Sequence, residues 1–138
     1  MDKLVLEIFD DVPEDALETI ETAILDFNRE HLSLRRKLFI PLKDRDGIVD
    51  GGLIGYTGRA WLYTELLFVP EYRRGQGLAG QLLMLAEDEG RRRGCKASIV
   101  DTMNPTARRL YEKLGYETFG SLADPAESYS VTWMRKQL

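Results

Sequence analysis

Cysteine is almost absent from this chain. Of 138 residues only Cys95 carries a thiol, so no disulfide can form within it. Histidine is equally scarce, with His31 alone, and no His/Cys/Asp cluster has metal-ligand spacing, so no metal is expected. Long apolar runs are missing too. None approaches the roughly 18–20 residues that a bilayer span needs, so no membrane partner is expected. Asp2, Lys3 and Glu7 interrupt the first apolar run, where a secretory signal would lie. A cytoplasmic protein is the default reading. Positive charge is not in excess: the formal net charge is −4, which disfavours nucleic acid as a partner. What is present is 43% hydrophobic and 30% charged residues, enough for a core and a solvated surface. The length fits a single domain over residues 1–138.

Leu4 to Phe9 reads as a short first strand. Pro13 then opens a helix, with Leu17, Ile20, Ile24 and Phe27 at helical spacing and Glu14, Asp15 and Glu18 suiting its dipole. A strand is expected near Lys37–Leu42, a hairpin turn at Asp44-Arg45-Asp46-Gly47, and a returning strand from Ile48 to Tyr56. Gly51 and Gly52 inside it suggest a bulge or a close backbone approach. After a turn at Thr57-Gly58-Arg59, Ala60 to Val69 is rich in Trp, Tyr, Leu, Phe and Val and reads as the central strand. Gly77 to Arg93 is the strongest helix, striped by Leu78, Leu82, Leu85 and Ala86 and ended by Gly94. Lys96 to Thr102 reads as a buried strand. Asn104-Pro105 starts a helix striped by Ala107, Leu110, Tyr111 and Leu114. Tyr116 to Leu122 and Tyr129 to Met134 read as the last strands, so the pattern is α/β.

The stretch from Val69 to Gly80 joins strand to helix through a loop rich in arginine and glycine. Glycine lets backbone N–H groups approach a ligand closely, and the first turn of a helix offers N–H groups without partners in a field that favours negative charge. Such a loop suits phosphate. Gly75-Gln76-Gly77-Leu78-Ala79-Gly80 matches GxGxxG, with Asp101 downstream, so a dinucleotide-dependent oxidoreductase has to be weighed. Three facts oppose it: Pro70 to Arg74 separate the glycines from the strand, several elements precede it, and Glu65 interrupts that strand. A Walker loop is absent.

Arg74, Gly77 and Ala79 fill the pattern Arg/Gln-x-x-Gly-x-Gly/Ala, and Val69-Pro70-Glu71-Tyr72-Arg73 leads into it. A second block follows with Asn104, Ala107, Leu110, Tyr111, Glu112, Lys113, Leu114, Gly115 and Tyr116. Together, and in this order, the two blocks resemble the GNAT family of N-acetyltransferases, most closely from Ile48 to Tyr116. The resemblance implies a GNAT-type fold: a mixed central sheet of six to seven strands flanked by helices, with a splayed strand pair holding coenzyme A. It implies transfer of an acetyl group from acetyl-coenzyme A, as co-substrate and without a metal, to a primary amine of a small molecule or protein. It also admits a homodimer through the C-terminal strands. The rival reading is a non-catalytic acyl-coenzyme A binder or sensor.

Direct transfer from a thioester to an amine requires a grip on the cofactor, removal of a proton from the amine, donors for the oxyanion and a proton for the thiolate. For the grip, the resemblance assigns the backbone from Arg74 to Gly80 (Gly75, Gln76, Gly77, Leu78, Ala79) to the diphosphate, with charge from Arg73 or Arg74. It assigns the strand end Leu67, Phe68 and Val69 to pantetheine, the N–H near Leu67 polarising the thioester carbonyl. Tyr111 corresponds to the family's general acid. Asn104 either contacts the cofactor or only caps its helix. Simple alternation would put Trp61, Tyr63, Glu65, Leu67 and Val69 on one face. Glu65, costly to bury unpaired, is the candidate base, with a core ion pair as the alternative role. Asp101 is the runner-up. Phe27, His31, Trp61, Tyr63 and Asp101 are candidate acceptor contacts. The acidic first helix and Glu65 hint at a cationic acceptor.

Overall fold

Residues 61–68 form a strand in the middle of a six-stranded sheet, as their bulky apolar side chains predict. The computed structural model describes residues 3–29, 35–126 and 129–138. The chain divides into two units, residues 1–34 and 35–138.

In the first unit, helix α1 spans Glu14–Phe27, entered through Pro13, with Glu14 and Asp15 in its first turn. Leu17, Ile20, Ile24 and Phe27 sit at the expected spacing, but no residue of α1 is buried. The strand expected at Leu4 to Phe9 does not form; residues 3–9 carry no regular structure. A strand exists only through a ladder, and the described part of this unit offers no second extended segment to pair with.

The second unit holds β1 (Arg36–Lys43), β2 (Val49–Gly58), β3 (Trp61–Phe68), α2 (Leu78–Arg92), β4 (Ala97–Thr102), α3 (Pro105–Lys113), β5 (Glu117–Ala123) and β6 (Ser130–Gln137). The sheet order is β1-β2-β3-β4-β6-β5. Only β3 and β4 pair in parallel, the other neighbours being antiparallel. The β1–β2 hairpin closes as expected: Asp44 Oδ1 accepts from the N–H of Asp46 at 2.8 Å and of Ile48 at 2.9 Å, and Gly47 takes φ of 81°.

The core gathers Leu38, Leu53, Leu62, Val100 and Met134 from the sheet with Leu82, Leu83 and Ala86 of α2 and Tyr111 of α3. Both helices therefore cover one face, as consecutive right-handed crossovers in one direction require. The stripe of α2 differs from expectation at one position. Leu83 is wholly buried and Leu85 is 49% exposed, because the seam follows Leu83, Glu87 and Gly90 at spacings of four and three.

Candidate functional site

The site begins with a defect in the sheet. On β2 and β3 the pairs run Tyr56 with Tyr63, Gly55 with Thr64, then Ile54 with Leu66. Glu65 is the extra residue, opposite no partner. Gly55 makes this bulge possible, because a Cβ there would lie 2.1 Å from the carbonyl oxygen of Tyr63. A bulge shifts the alternation of side chains by one. Leu62 and Thr64 therefore share the core face with Leu67 and Val69, while Trp61 and Tyr63 share the opposite face with Leu66 and Phe68. This corrects the expectation that Trp61, Tyr63, Glu65, Leu67 and Val69 alternate onto one face. It also corrects the picture of Glu65 as a buried carboxylate or a core ion pair. Glu65 is exposed, and no ion pair involves it among the described residues.

The bulge coincides with a parting of strands. β3 and β4 pair only at Trp61 with Ala97, Leu62 with Ser98 and Tyr63 with Ile99. Beyond Tyr63, β3 stays paired with β2 as far as Phe68; beyond Ile99, β4 stays paired with β6 as far as Thr102. Each strand thus keeps one ladder and lacks the other along the gap between them. Backbone polar groups there need partners, and an extended ligand with amides of its own would supply them.

At the mouth of this gap, beyond the C-terminal end of β3, stands the glycine-rich loop. Glu71–Arg73 make one tight turn, in which the N–H of Arg73 donates to Pro70 O at 3.0 Å and that of Arg74 to Glu71 O at 3.1 Å. The Arg74 amide is therefore occupied. From Gly75 through Gly80 the amides have no protein acceptor among the described residues. Gly77, at φ of 75°, is the N-cap of α2 and brings no side chain to cap it, and the first turn of α2 holds no acidic residue. The contrast with α3 is sharp. Asn104 Oδ1 accepts from Thr106 N at 2.8 Å and Ala107 N at 3.3 Å, so its side-chain oxygen serves as a helix cap. Of two helices that follow parallel strands, one is closed by its own side chain and the other is left open to an anion.

The two arginines brace this loop. Arg73 Nη2 donates to Lys43 O at 2.5 Å, Arg74 Nε donates to Val69 O at 3.0 Å, and the Tyr72 hydroxyl donates to the Asp50 carboxylate. Arg73, expected to offer charge to phosphate, is instead turned toward the end of β1.

Tyr111 packs its ring into the core at 6% exposure, yet its hydroxyl has no partner among the described residues. Burial, with the Asp101 carboxylate nearby, pushes its pKa up, so the group holds its proton. Trp61 and Tyr63 lie 6.4 Å apart between ring centroids, and Tyr63 stacks on Tyr56 at 4.8 Å. Phe27 ends α1 in the other unit, and His31 lies outside the described residues. Cys95 is buried, and desolvation pushes its thiol pKa up. Among the described residues no group of three or more His, Cys, Asp and Glu is placed to hold a metal ion. Among the described residues no helix is long and apolar enough to cross a membrane.

Sequence reasoning missed a buried cluster below the site. Glu87, 2% exposed, receives the Tyr116 hydroxyl at 2.8 Å and Lys136 Nζ at 3.0 Å. The signal was there, since Glu87 sits on the core spacing of α2 between Leu83 and Gly90.

The model of the acetyltransferase (GNAT) family matches residues 5–116. The chain belongs to the GNAT family of acetyltransferases. This GNAT chain is 50% identical over 103 residues to an acetyltransferase of Agrobacterium fabrum, covering 75% of each protein. It is 37% identical over 79 residues to the blasticidin-S acetyltransferase of Streptomyces morookaense, covering 56% of this chain and 58% of that one. A crystal structure of an acetyltransferase from Agrobacterium tumefaciens superposes with a TM-score of 0.88 at 41% identity, covering 98% of this chain and 100% of the other. The mixed sheet and one-sided helices of the second unit are thus those of a GNAT acetyltransferase, as the two motif blocks implied.

Proposed function

We propose that this acetyltransferase moves an acetyl group from acetyl-coenzyme A to a primary amine by direct attack. One observation carries the reading: the open amides of Gly75–Gly80 stand at the mouth of the gap where β3 and β4 part. A diphosphate on those amides would send its pantetheine arm between the strands as a substitute ladder, against the edge formed by Leu67, Phe68 and Val69. Tyr111 then holds a proton for the departing sulfur. Glu65, exposed on the bulge, takes the proton from the attacking amine, directly or through water. In the step, a nitrogen–carbon bond forms and the carbon–sulfur bond breaks. The nitrogen proton leaves to the carboxylate, and the thiolate is protonated from Tyr111.

The acceptor is a small molecule, and the resemblance to a protein named for blasticidin-S supports that class. The exposed Glu65 carboxylate, whose charge acts on Tyr56 in its stack with Tyr63, favours an acceptor that arrives as a cation. The test is release of free thiol from acetyl-coenzyme A against a broad amine panel, with mass spectrometry of the product. A product heavier by one acetyl group is expected for at least one cationic amine. Binding of coenzyme A without turnover of any amine would instead leave a sensor, and absence of binding would remove both readings.

A further inference from the structure

We propose that the hydroxyl of Thr64 donates a hydrogen bond to the acyl carbonyl oxygen of the bound thioester; the assignment rests on the acetyl-coenzyme A reading above. Thr64 is 7% exposed, and its Oγ1 is buried with no hydrogen-bond partner. Two other buried hydroxyls are engaged: Thr57 Oγ1 accepts from Arg93 Nη1 at 3.2 Å, and Ser98 Oγ lies 2.6 Å from the Tyr116 hydroxyl. The second orphaned atom among the described residues, Asp50 Oδ1, belongs to a carboxylate already bonded to Tyr72 through its other oxygen. Among the described residues, Thr64 therefore has the one hydroxyl whose oxygen is itself fully buried and has no partner. Folding a hydroxyl into that state costs free energy that a ligand bearing an acceptor can return.

The place of Thr64 says which acceptor. It is the first β3 residue past the last β3–β4 pair, Tyr63 with Ile99, and the last before the bulged Glu65. It therefore marks the closed end of the gap. It shares a face with Leu62, whose side chain belongs to the core that also holds Val100 and Tyr111. An extended arm entering from the glycine-rich loop runs along β3 toward this end, so its acyl terminus is the part that meets Thr64. As the amine nitrogen bonds to the carbonyl carbon, negative charge collects on the carbonyl oxygen. A donor already aimed at that oxygen lowers the barrier without itself losing its proton.

Thr64→Val keeps the shape and removes the hydroxyl, whereas Thr64→Ser keeps the hydroxyl. With the carbonyl of acetyl-coenzyme A labelled with carbon-13, the infrared carbonyl band of the bound thioester is expected at lower wavenumber in the wild type and Thr64→Ser than in Thr64→Val. Affinity of Thr64→Val for free coenzyme A, which has no acyl carbonyl, stays within about twofold, while that for acetyl-coenzyme A falls about five- to tenfold. The kcat/KM with an accepted amine falls about 100-fold. The unliganded Thr64→Val protein melts at the same temperature or higher; a marked fall would show the hydroxyl bonded within the protein and overturn the premise. An unshifted band with unchanged affinities overturns the Thr64 assignment and leaves acetyl-coenzyme A binding intact. A wild type that binds no coenzyme A overturns both. If Thr64→Val does not fold, Thr64→Ala carries the same comparison.

Discussion

The Tyr116 hydroxyl donates to Glu87 Oε2 at 2.8 Å inside the core, joining the residue before β5 to the buried seam of α2. With its one proton committed there, the same oxygen accepts from Ser98 Oγ at 2.6 Å, and Lys136 Nζ reaches Glu87 Oε1 at 3.0 Å. The cluster fastens α2, β4, β6 and the C-terminal flank of α3 into one body, so the helix carrying Tyr111 is held against the strand that borders the gap. Removing one member leaves the others buried and short of a partner. Tyr116→Phe is expected to lower the unfolding free energy by about 1–3 kcal/mol. Urea titration reads this as a lower midpoint at unchanged slope. Affinity for coenzyme A is expected to persist.

The same tyrosine sets a pH dependence. Burial is the main cause, followed by a lowering contribution from Ser98 and raising ones from Glu87; the net effect lifts its pKa far above the ordinary value of 10.0. A raised folded-state pKa means that the unfolded chain gives up the proton first. The stabilisation is whole below about pH 10 and falls as pH rises further, by up to about 1.4 kcal/mol per pH unit for one tyrosine. Unfolding measured between pH 8 and 11 is expected to show a steeper alkaline loss in the wild type than in Tyr116→Phe. Parallel curves would remove Tyr116 as the source.

Among the described residues the Tyr111 hydroxyl has no partner whereas that of Tyr116 is bonded, so the acid role proposed for Tyr111 predicts a different response to substitution. Tyr111→Phe is expected to lower kcat about 100-fold or more while leaving the Kd for coenzyme A within about twofold. Because burial first and Asp101 second raise its pKa above 10.0, the wild type keeps the acid form through the neutral range. Its kcat is expected to fall only as pH rises past the ordinary tyrosine value. Loss of coenzyme A affinity in proportion to rate would place the residue in packing instead.

Gly55 and Gly80 offer a contrast between two glycines of the second unit. A Cβ on Gly55 would meet the Tyr63 carbonyl at 2.1 Å, whereas one on Gly80 would meet nothing nearer than Leu110 Cδ1 at 3.9 Å. Gly55→Ala is expected to cost about 1–3 kcal/mol and to weaken coenzyme A binding, since the bulge has to move. Gly80→Ala is expected to gain up to about 1 kcal/mol from helix propensity. Thermal melting of both variants, with coenzyme A titration of the first, is the measurement. A Gly55→Ala protein as stable and as avid as the wild type would show that the bulge does not depend on that glycine.

Much of this architecture was legible in the chain. The two motif blocks and the Asn104-Pro105 helix start depend on local backbone preferences, so the residues state them directly. The central strand was equally plain, because Trp, Tyr, Leu and Phe suit a pleated surface. Leu4 to Phe9 had the same local signature and formed no strand, since a ladder needs a partner that composition does not supply. Arg73 or Arg74 was expected to add charge at the diphosphate, yet the Arg73 guanidinium lies on Lys43 O, contributed from 30 positions earlier. Glu65 and the residues after it were assigned to the wrong face. Alternation holds only for an unbroken ladder, and the shift depends on Gly55 lying opposite. The chain by itself determined the family, the open amides at the start of α2 and the side chain that acts as acid candidate. The tertiary structure alone decided where β3 and β4 part and which hydroxyls are left unbonded. Those outcomes follow from register between strands distant in sequence, and register is a property of pairs that no single segment carries.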